Sequence, residues 1–249
     1  GRPAEILTIV SHVLGTGRLS LAKFLFMTAD DSPQGSANNM VSTNNIEAYL
    51  AYILQRINLK RDIHFYTNTT IDTLDYSGEG LNSGSKVLLA AYGEAIRALG
   101  TIIPAALHNL PGFTKPQLAL PGILVLQAAA FTNYEAAKEE MEMLNNQLSI
   151  INDQLQDLPF IIISDDANFV SKALNNFLWV TFTRCNPSHD MYGIDSFTQN
   201  KHWGCNGPLV FDARIKPHHA PPVEKEAAVE KHIERFFEKG GSLYNVLKG

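Results

Sequence analysis

The stretch FLFMTADD (24–31) decides the fold, because its pattern returns later in the chain as FIIISDD (160–166). Each is a short apolar run without a helical face, which is typical of a buried strand, and each closes on two aspartates. A helix-spaced apolar pattern follows in both places, beginning near Ile46 and near Leu174. The repeated order predicts two similar α/β units that share a core.

Both predicted helices lead into the pattern Arg-x-Asn-x-x-(Arg or His)-Asp. The two copies place Arg56, Asn58 and Asp62 against Arg184, Asn186 and Asp190. Because the arginine and the aspartate recur together, we predict that they pair in a structural turn in each unit. Downstream, SGSKVLLAA (83–91) corresponds to NGPLVFDA (206–213), with Ala90 at the position of Asp212.

The repeat predicts an α/β fold of two strand-helix-strand units with mixed or parallel sheets. The first unit covers 1–115, the second covers 116–222, and a C-terminal helix and tail cover 223–249. The second unit begins with a strand, a helix and a strand, whereas the first begins with a helix and a strand. The leading strand of the first unit is therefore missing or supplied by residues elsewhere, which favours a fragment of a longer chain.

Composition excludes several classes of partner. The net charge is −5 and no basic block occurs, so nucleic acid is not an expected partner. No apolar run approaches the roughly 20 residues of a membrane span. Two cysteines, Cys185 and Cys205, are too few for a disulfide framework and fit a reducing cytosol, so we predict a cytoplasmic protein.

The paired aspartates, Asp30-Asp31 and Asp165-Asp166, are candidates for ligand contacts. Acids at the carboxyl end of a parallel strand lie where α/β folds bind ligands, so they could hold a metal or a ribose. Aspartate also caps helices well, and we favour the capping interpretation for both pairs.

Histidines and cysteines raise two further hypotheses. A zinc site could draw on His189, His202, Cys205, His218 and His219. These residues are scattered and form no CxxC or HExxH frame, so we favour surface histidines around a buried cysteine. Cys185 could act as a nucleophile, but it has no clear base beyond His189, and Ile57 takes its place in the other unit.

Two small-residue turns each lie beside a base. Backbone amides in GTGR (15–18) and SGSK (83–86) could cradle a phosphate, although neither turn completes a GxGxxG or Walker pattern. GTGRLSLAK (15–23) is the better candidate, because Lys23 opens a strand that Asp30 and Asp31 close.

The segments resemble, in order, the C-terminal domain of the UbiD family of decarboxylases, the 3-octaprenyl-4-hydroxybenzoate carboxy-lyases. The first copy looks like that series in AKFLFMTADD (22–31), LQRINLKRD (54–62), TIDTLDYSG (70–78) and SGSKVLLAA (83–91). The second copy looks like it in FIIISDD (160–166), LWVTFTRCNPSHD (178–190) and LVFDAR (209–214). No single motif is highly specific, but their order is.

The resemblance implies an enzyme that uses prenylated FMN, a divalent metal and a monovalent cation to remove CO2 from an aromatic or unsaturated acid, as in ubiquinone biosynthesis. The family's acid–base residues belong to a central domain that nothing in this chain resembles. The resemblance therefore implies an inactive fragment, without catalytic residues or metal ligands, that closes the flavin pocket.

Lys23 matches the family's strand-opening lysine and is the one cofactor contact that the resemblance implies. The implied partners are the rest of the parent chain and further copies in a homo-oligomer. Two other hypotheses stay open: a non-catalytic oligomerisation module, and a free-standing metal-dependent enzyme that uses the histidines and cysteines.

Overall fold

The computed structural model describes residues 3–29, 41–78, 80–221 and 226–246. The chain divides into two compact units, Gly1–His219 and Ala220–Gly249. The helices are α1 (Pro3–Leu14), α2 (Ile46–Arg56), α3 (Tyr134–Ile150), α4 (Ala167–Ser171), α5 (Leu174–Arg184), α6 (Pro187–Asp190) and α7 (Ala227–Phe237). The strands are β1 (Phe24–Thr28), β2 (Ile63–Thr69), β3 (Gly84–Ala91), β4 (Thr114–Leu120), β5 (Ile123–Gln127), β6 (Phe160–Ser164), β7 (Met191–Gly193), β8 (Ser196–Gln199), β9 (His202–Cys205) and β10 (Leu209–Asp212).

Asparagine caps explain where two of the longer helices begin. The side-chain oxygen of Asn45 accepts a hydrogen bond from the Ala48 amide at 3.1 Å, and that of Asn133 accepts one from the Ala136 amide at 2.8 Å. Each cap satisfies an amide that has no partner inside its helix. These caps fix the starts of α2 and α3.

Two main sheets form the unit Gly1–His219. The first has the order β1-β3-β2, with β1 parallel and β2 antiparallel to β3. The second has the order β4-β5-β6-β10-β7, in which β5, β6 and β10 are parallel and the two outer strands are antiparallel. The predicted α/β class with mixed sheets is confirmed.

The two sheets repeat one arrangement of strands in the same register. Phe24 lies opposite Val87 where β1 pairs with β3, and Phe160 lies opposite Leu209 where β6 pairs with β10. In this register Ala90 takes the place of Asp212, as the sequence comparison predicted. The similarity of the two units is thus confirmed in strand order, while their boundaries at residues 115 and 222 stay a prediction.

The turn between helix and antiparallel strand is duplicated as well. A carboxylate oxygen of Asp62 accepts the Asn58 amide at 2.9 Å, and one of Asp190 accepts the Asn186 amide at 2.7 Å. The interaction that recurs in both units is therefore between an aspartate side chain and an asparagine backbone amide. The aspartate follows the asparagine by four residues, and the turn brings its carboxylate back to that amide.

The predicted pairing of the helix-end arginines with these aspartates is wrong. The guanidinium of Arg56 stacks on the ring of Tyr52 at 3.5 Å. The guanidinium of Arg184 lies 3.3 Å from Asp165. A long arginine side chain takes the nearest acceptor or ring in its own surroundings, which differ between the two units.

The main core lies between the two sheets. Val87 and Leu89 of β3 belong to the same buried cluster as Phe160 and Ile162 of β6 and Phe211 of β10. Full burial of each such side chain stabilises the fold by about 1.5–3 kcal/mol. The packing therefore makes the two repeated sheets one compact unit.

A helix covers the outer face of each sheet. Val10 of α1 packs with Leu88 of β3, and Leu144 of α3 packs in the cluster of Ile161 of β6. Beside β6 the second sheet continues into β5, whereas β1 is the edge of its sheet among the described residues. The first unit thus lacks a counterpart of β5 in the described ranges.

In the unit Ala220–Gly249, the predicted C-terminal helix is present over Ala227–Phe237, and residues 222–225 lie outside the described ranges. Val229, Ile233 and Phe236 are exposed on one face of this helix. None of the helices in the described parts of the chain is long and apolar enough to cross a membrane.

Candidate functional site

Four charged side chains lie together where β6 and β10 end, and we call them the charge cluster. They are Asp190, Asp212, Arg214 and Lys216, and none is more than 1% exposed. Asp212 closes β10, the two bases follow it along the chain, and Asp190 closes α6. This edge is where α/β proteins usually bind ligands, which makes the cluster the candidate site.

Asp212 and Arg214 form a two-pronged pair. The guanidinium donates from Nε to Oδ1 at 2.9 Å and from Nη2 to Oδ2 at 2.7 Å. Nη1 donates to the Ala129 carbonyl at 3.0 Å and lies 2.6 Å from Glu140 of α3. Burial lowers the pKa of Arg214, but the hydrogen bonds to Asp212 and Glu140 outweigh it and the net shift is upward. The guanidinium therefore stays charged.

Asp190 and Lys216 form the second pair. The ammonium lies 3.2 Å from Asp190 Oδ1 and donates to the Asp212 carbonyl at 2.9 Å. Burial raises the pKa of Asp190 to about 6, although the charge of Lys216 and the Asn186 amide act in the opposite direction. This carboxyl can therefore change its protonation close to neutral pH.

Aromatic and imidazole rings border the charge cluster. The Tyr134 ring lies 5.4 Å from that of His189 and 6.5 Å from that of His218, between centroids. Nδ1 of His219 accepts the Lys216 backbone amide at 3.2 Å. Burial and then the charge of Lys216 lower the pKa of His219 to about 3. The imidazole is therefore neutral and carries its proton on Nε2, a buried atom without a hydrogen-bond partner among the described residues.

Cys185 lies beside the charge cluster and is completely buried. Burial raises the pKa of its thiol well above the ordinary value, and Asp190 acts in the same direction. A nucleophilic cysteine needs its thiolate form. The Cys185 thiol therefore stays protonated, and in that form it is a poor nucleophile.

Lys23, the predicted cofactor contact, precedes β1 and is 8% exposed. Its ammonium lies 2.8 Å from Asp75 and donates to the Ser77 hydroxyl at 2.6 Å and to the Thr183 carbonyl at 3.4 Å. Its three N–H groups thus have three acceptors. A cofactor phosphate would have to displace one of them, so the role of Lys23 in cofactor binding stays a prediction.

The second aspartate pair serves the fold. Asp166 caps α4 by accepting the Phe169 amide at 3.1 Å, which confirms the capping interpretation for this residue. Asp165 accepts the Ile215 amide at 2.8 Å and pairs with Arg184. It therefore holds the segment after β10 in place. Asp30 and Asp31 lie outside the described residues.

The two small-residue turns that suggested phosphate binding come together. Lys86 of SGSK donates to the backbone carbonyl of Ser20, which follows GTGR. Ser85 of SGSK contacts Asn186 Oδ1 at 2.5 Å and accepts the Ser188 amide at 2.8 Å. The polar groups of SGSK therefore join the first unit to the turn of the second, and a phosphate role for either turn stays a prediction.

The candidate zinc ligands do not form one site. In the described ranges, no three histidine, cysteine or acidic side chains are placed to hold a metal ion. The ring of His202 lies 5.2 Å from that of His64, while the Cys205 thiol donates to the Gly207 carbonyl at 3.3 Å. These two residues thus have separate local partners.

Sequence reasoning missed four residues that build the site. They are Glu140, Lys216, Asp75 and Ser77. The one available signal for Lys216 was its place four residues after Asp212, which closes a strand. The others come from distant parts of the chain, which no local pattern connects.

Comparison with known proteins connects this fold to one family. Residues 1–91 match the family model of the 3-octaprenyl-4-hydroxybenzoate carboxy-lyase C-terminal domain. A Chlamydia pneumoniae protein, named as a subunit of 4-hydroxybenzoate decarboxylase, is 30% identical over 92% of this chain and 35% of its own. An uncharacterised protein of Chlamydia caviae is also 30% identical, over 94% of this chain and 37% of its own. This chain thus spans little more than a third of the length of these relatives.

One solved structure also overlaps this fold. The Sedimentibacter hydroxybenzoicus vanillic acid decarboxylase, in its open form, covers 75% of this chain and 45% of its own. The identity is 13% and the TM-score is 0.33, which is too loose an overlap to define the arrangement of elements.

The fold and the charge cluster define an α/β region built from a duplicated unit. The family match over residues 1–91 and the named chlamydial relative identify it further. Residues 1–91 thus correspond to the C-terminal domain of the UbiD family of carboxy-lyases.

Proposed function

We propose that this chain is the C-terminal region of a UbiD-like decarboxylase that acts on an aromatic or unsaturated carboxylic acid. In the whole protein it closes the cofactor pocket and takes part in the assembly of subunits, and it is inactive by itself. The observation that carries the proposal is the 30% identity, over 92% of the chain, to the relative named as a 4-hydroxybenzoate decarboxylase. The two free, buried cysteines support a cytoplasmic setting.

The cofactor of the whole protein, on this proposal, is prenylated FMN with a divalent metal and a monovalent cation. When bound, the flavin supplies the electron sink for decarboxylation. Of the described residues, Lys23 is the candidate for its phosphate. That contact requires the Ser77 hydroxyl or the Thr183 carbonyl to give up its hydrogen bond, since all three N–H groups of Lys23 have acceptors.

The charge cluster has a supporting part in this proposal. In the Asp190–Lys216 and Asp212–Arg214 pairs each base has a carboxylate partner within the chain, and Lys216 ties the segment after β10 to α6. The rings of Tyr134, His189 and His218 border the cluster. Side chains whose charges are already paired are better suited to forming one side of a pocket than to acting as catalytic groups.

The test compares three proteins: this chain alone, the remainder of the full-length protein alone, and the two joined. Flavin content and CO2 release from 4-hydroxybenzoate are measured for each. We expect CO2 release only from the joined protein, and little flavin with this chain alone. The proposal fails if the remainder decarboxylates the acid equally well without this region, or if this chain alone releases CO2.

A second candidate function is an oligomerisation module without a ligand. The observation in its favour is that each base of the charge cluster, like Lys23, already has acidic and carbonyl partners inside the chain. Light scattering after size exclusion, followed by flavin titration, separates the two functions. An assembled homo-oligomer that binds no flavin even when joined to the rest of its protein supports the module.

A further inference from the structure

A polar cavity of about 530 Å³ lies at the amino ends of β6 and β10, within the unit Gly1–His219. This volume falls within the range of small-molecule sites. Its wall includes the turn Asn58–Lys60, Arg97, Asn152 and the segment Cys205–Pro208. The charge cluster lies at the opposite, carboxyl ends of the same strands, so the cavity is a separate place in the fold.

The internal repeat gives this cavity a counterpart. In the repeated strand register, Phe24 corresponds to Phe160 and Val87 corresponds to Leu209. The residues that immediately precede these four in the chain therefore correspond as well. Pro159 thus takes the place of Lys23, Gly207 that of Ser85, and Pro208 that of Lys86. The Asn58–Lys60 turn takes the place of the Asn186–Ser188 turn.

Polar side chains occupy the three equivalent positions of the counterpart. Ser85 bridges the Asn186 side chain and the Ser188 amide, while Lys23 reaches Asp75 and Lys86 reaches the Ser20 carbonyl. Glycine and proline at the three equivalent positions carry no polar side chain that could cross the gap. These replacements leave the wall of the cavity at Pro159, Gly207 and Pro208 without polar side chains.

Two cationic side chains, Arg97 and Lys60, line the cavity. One terminal nitrogen of Arg97 donates to the Leu54 carbonyl at 2.6 Å and to the Ile57 carbonyl at 2.8 Å, which fixes the guanidinium at the wall. Among the described residues, neither Arg97 nor Lys60 forms an ion pair, although the exposed carboxylate of Asp153 also lines the cavity. A fixed guanidinium without a carboxylate partner is suited to binding a carboxylate or phosphate.

We propose that this cavity binds a small anionic molecule through Arg97 and Lys60. The amide side chain of Gln156, which lines the same wall, supplies a further polar contact. The site is independent of the proposed function, because it shares no residue with Lys23 or the charge cluster.

The test titrates the ¹⁵N-labelled chain with inorganic phosphate and, separately, with benzoate, and follows amide signals by NMR. We expect saturable shifts of the Gly207 and Lys60 amides with at least one anion, with a dissociation constant of about 1 mM or tighter. The anion that binds identifies phosphate or carboxylate as the recognised group. Benzamide, an uncharged match for benzoate, should not produce the shifts.

Variants decide whether the cations carry the binding. Arg97→Gln should weaken it about tenfold, since a charge-assisted pair is lost. Lys60→Glu should also weaken the binding. Because Lys60 is exposed, this variant should fold, and it serves as the test if Arg97→Gln does not. Lys172→Glu makes the same charge change at an exposed position after α4 and should leave binding unchanged. The proposal is overturned if neither anion shifts these amides, or if Lys60→Glu and Lys172→Glu bind equally well.

Discussion

Lys216 is 1% exposed, and its ammonium lies 3.2 Å from the Asp190 carboxylate. Removal of one partner of a buried ion pair costs about 3–5 kcal/mol, because the other charge is left without compensation. We therefore expect Lys216→Met to lower the free energy of unfolding by about 3 kcal/mol at neutral pH, measured by urea denaturation.

The double variant Asp190→Asn/Lys216→Met is the matched control for that substitution. It removes both charges and keeps similar shapes, so it should be more stable than Lys216→Met alone. If the double variant loses as much stability as the sum of the two single variants, the two residues do not act as a pair.

Asp190 also predicts how stability depends on pH. Burial raises its pKa to about 6, against an ordinary value of 3.8, so the folded state binds the proton more tightly than the unfolded state. Its contribution to stability is complete below 3.8 and is lost as pH rises through 6. Between pH 6 and 4, the unsubstituted chain should therefore gain stability over Asp190→Asn as pH falls, by at most about 3 kcal/mol.

His219 acts in the opposite direction over the same window. Burial lowers its pKa from 6.5 to about 3, so the unfolded state binds the proton more tightly than the folded state. The contribution of His219 to stability is therefore lost as the pH falls. Both proteins in the comparison keep His219, so its contribution cancels in the difference. Urea midpoints at several pH values measure that difference, and a constant gap between the two proteins would contradict the role given to Asp190.

At the level of elements, the duplicated turn is a test of the internal repeat. Asp62 accepts the Asn58 amide at 2.9 Å and is 1% exposed. Without the carboxylate this amide has no acceptor, which costs about 1–3 kcal/mol. We expect Asp62→Ala to destabilise the chain by that amount in urea denaturation.

Asp153→Ala is the matched control, since Asp153 is exposed and accepts no hydrogen bond in the described structure. Equal stabilities of Asp62→Ala and Asp153→Ala would mean that the turn does not depend on its aspartate.

The repeat of elements could be predicted from sequence because strand, helix and turn carry local signals that recur in order. The positions of Asn58 and Asp62 followed from that order, and so did the equivalence of Ala90 with Asp212. The partners of Arg56 and Arg184 did not follow, because a ring and a carboxylate from the surroundings, rather than the turn, determine them. Sequence order places a residue along its element but does not identify its neighbour in space.

At the level of the whole molecule, the contacts between the two sheets lay beyond prediction. Ser85 meets Ser188 across 103 positions of sequence, and Lys23 meets Thr183 across 160. The cavity beside Arg97 has the same origin, since it depends on how one unit's turn packs against the strand ends of the other. The family, by contrast, could be predicted because it depends on the order of motifs.

The last prediction concerns Lys23 in the whole protein. On the proposed function its ammonium contacts the cofactor phosphate, so Lys23→Gln should lower the flavin retained by the full-length protein about tenfold, since a charge-assisted contact is worth about 1.5–3 kcal/mol. The measurement is flavin absorbance per protein after gel filtration. Lys138→Gln, on the exposed face of α3, should retain flavin normally.

Lys23 also pairs with Asp75, so Lys23→Gln is expected to lose stability as well as flavin. Asp75→Asn separates the two effects, because it breaks the same ion pair while it leaves the ammonium in place and frees it for a phosphate. Flavin retention by Asp75→Asn but not by Lys23→Gln, in proteins of similar thermal midpoint, supports a direct contact. Equal losses in the two variants would assign Lys23 to the fold alone.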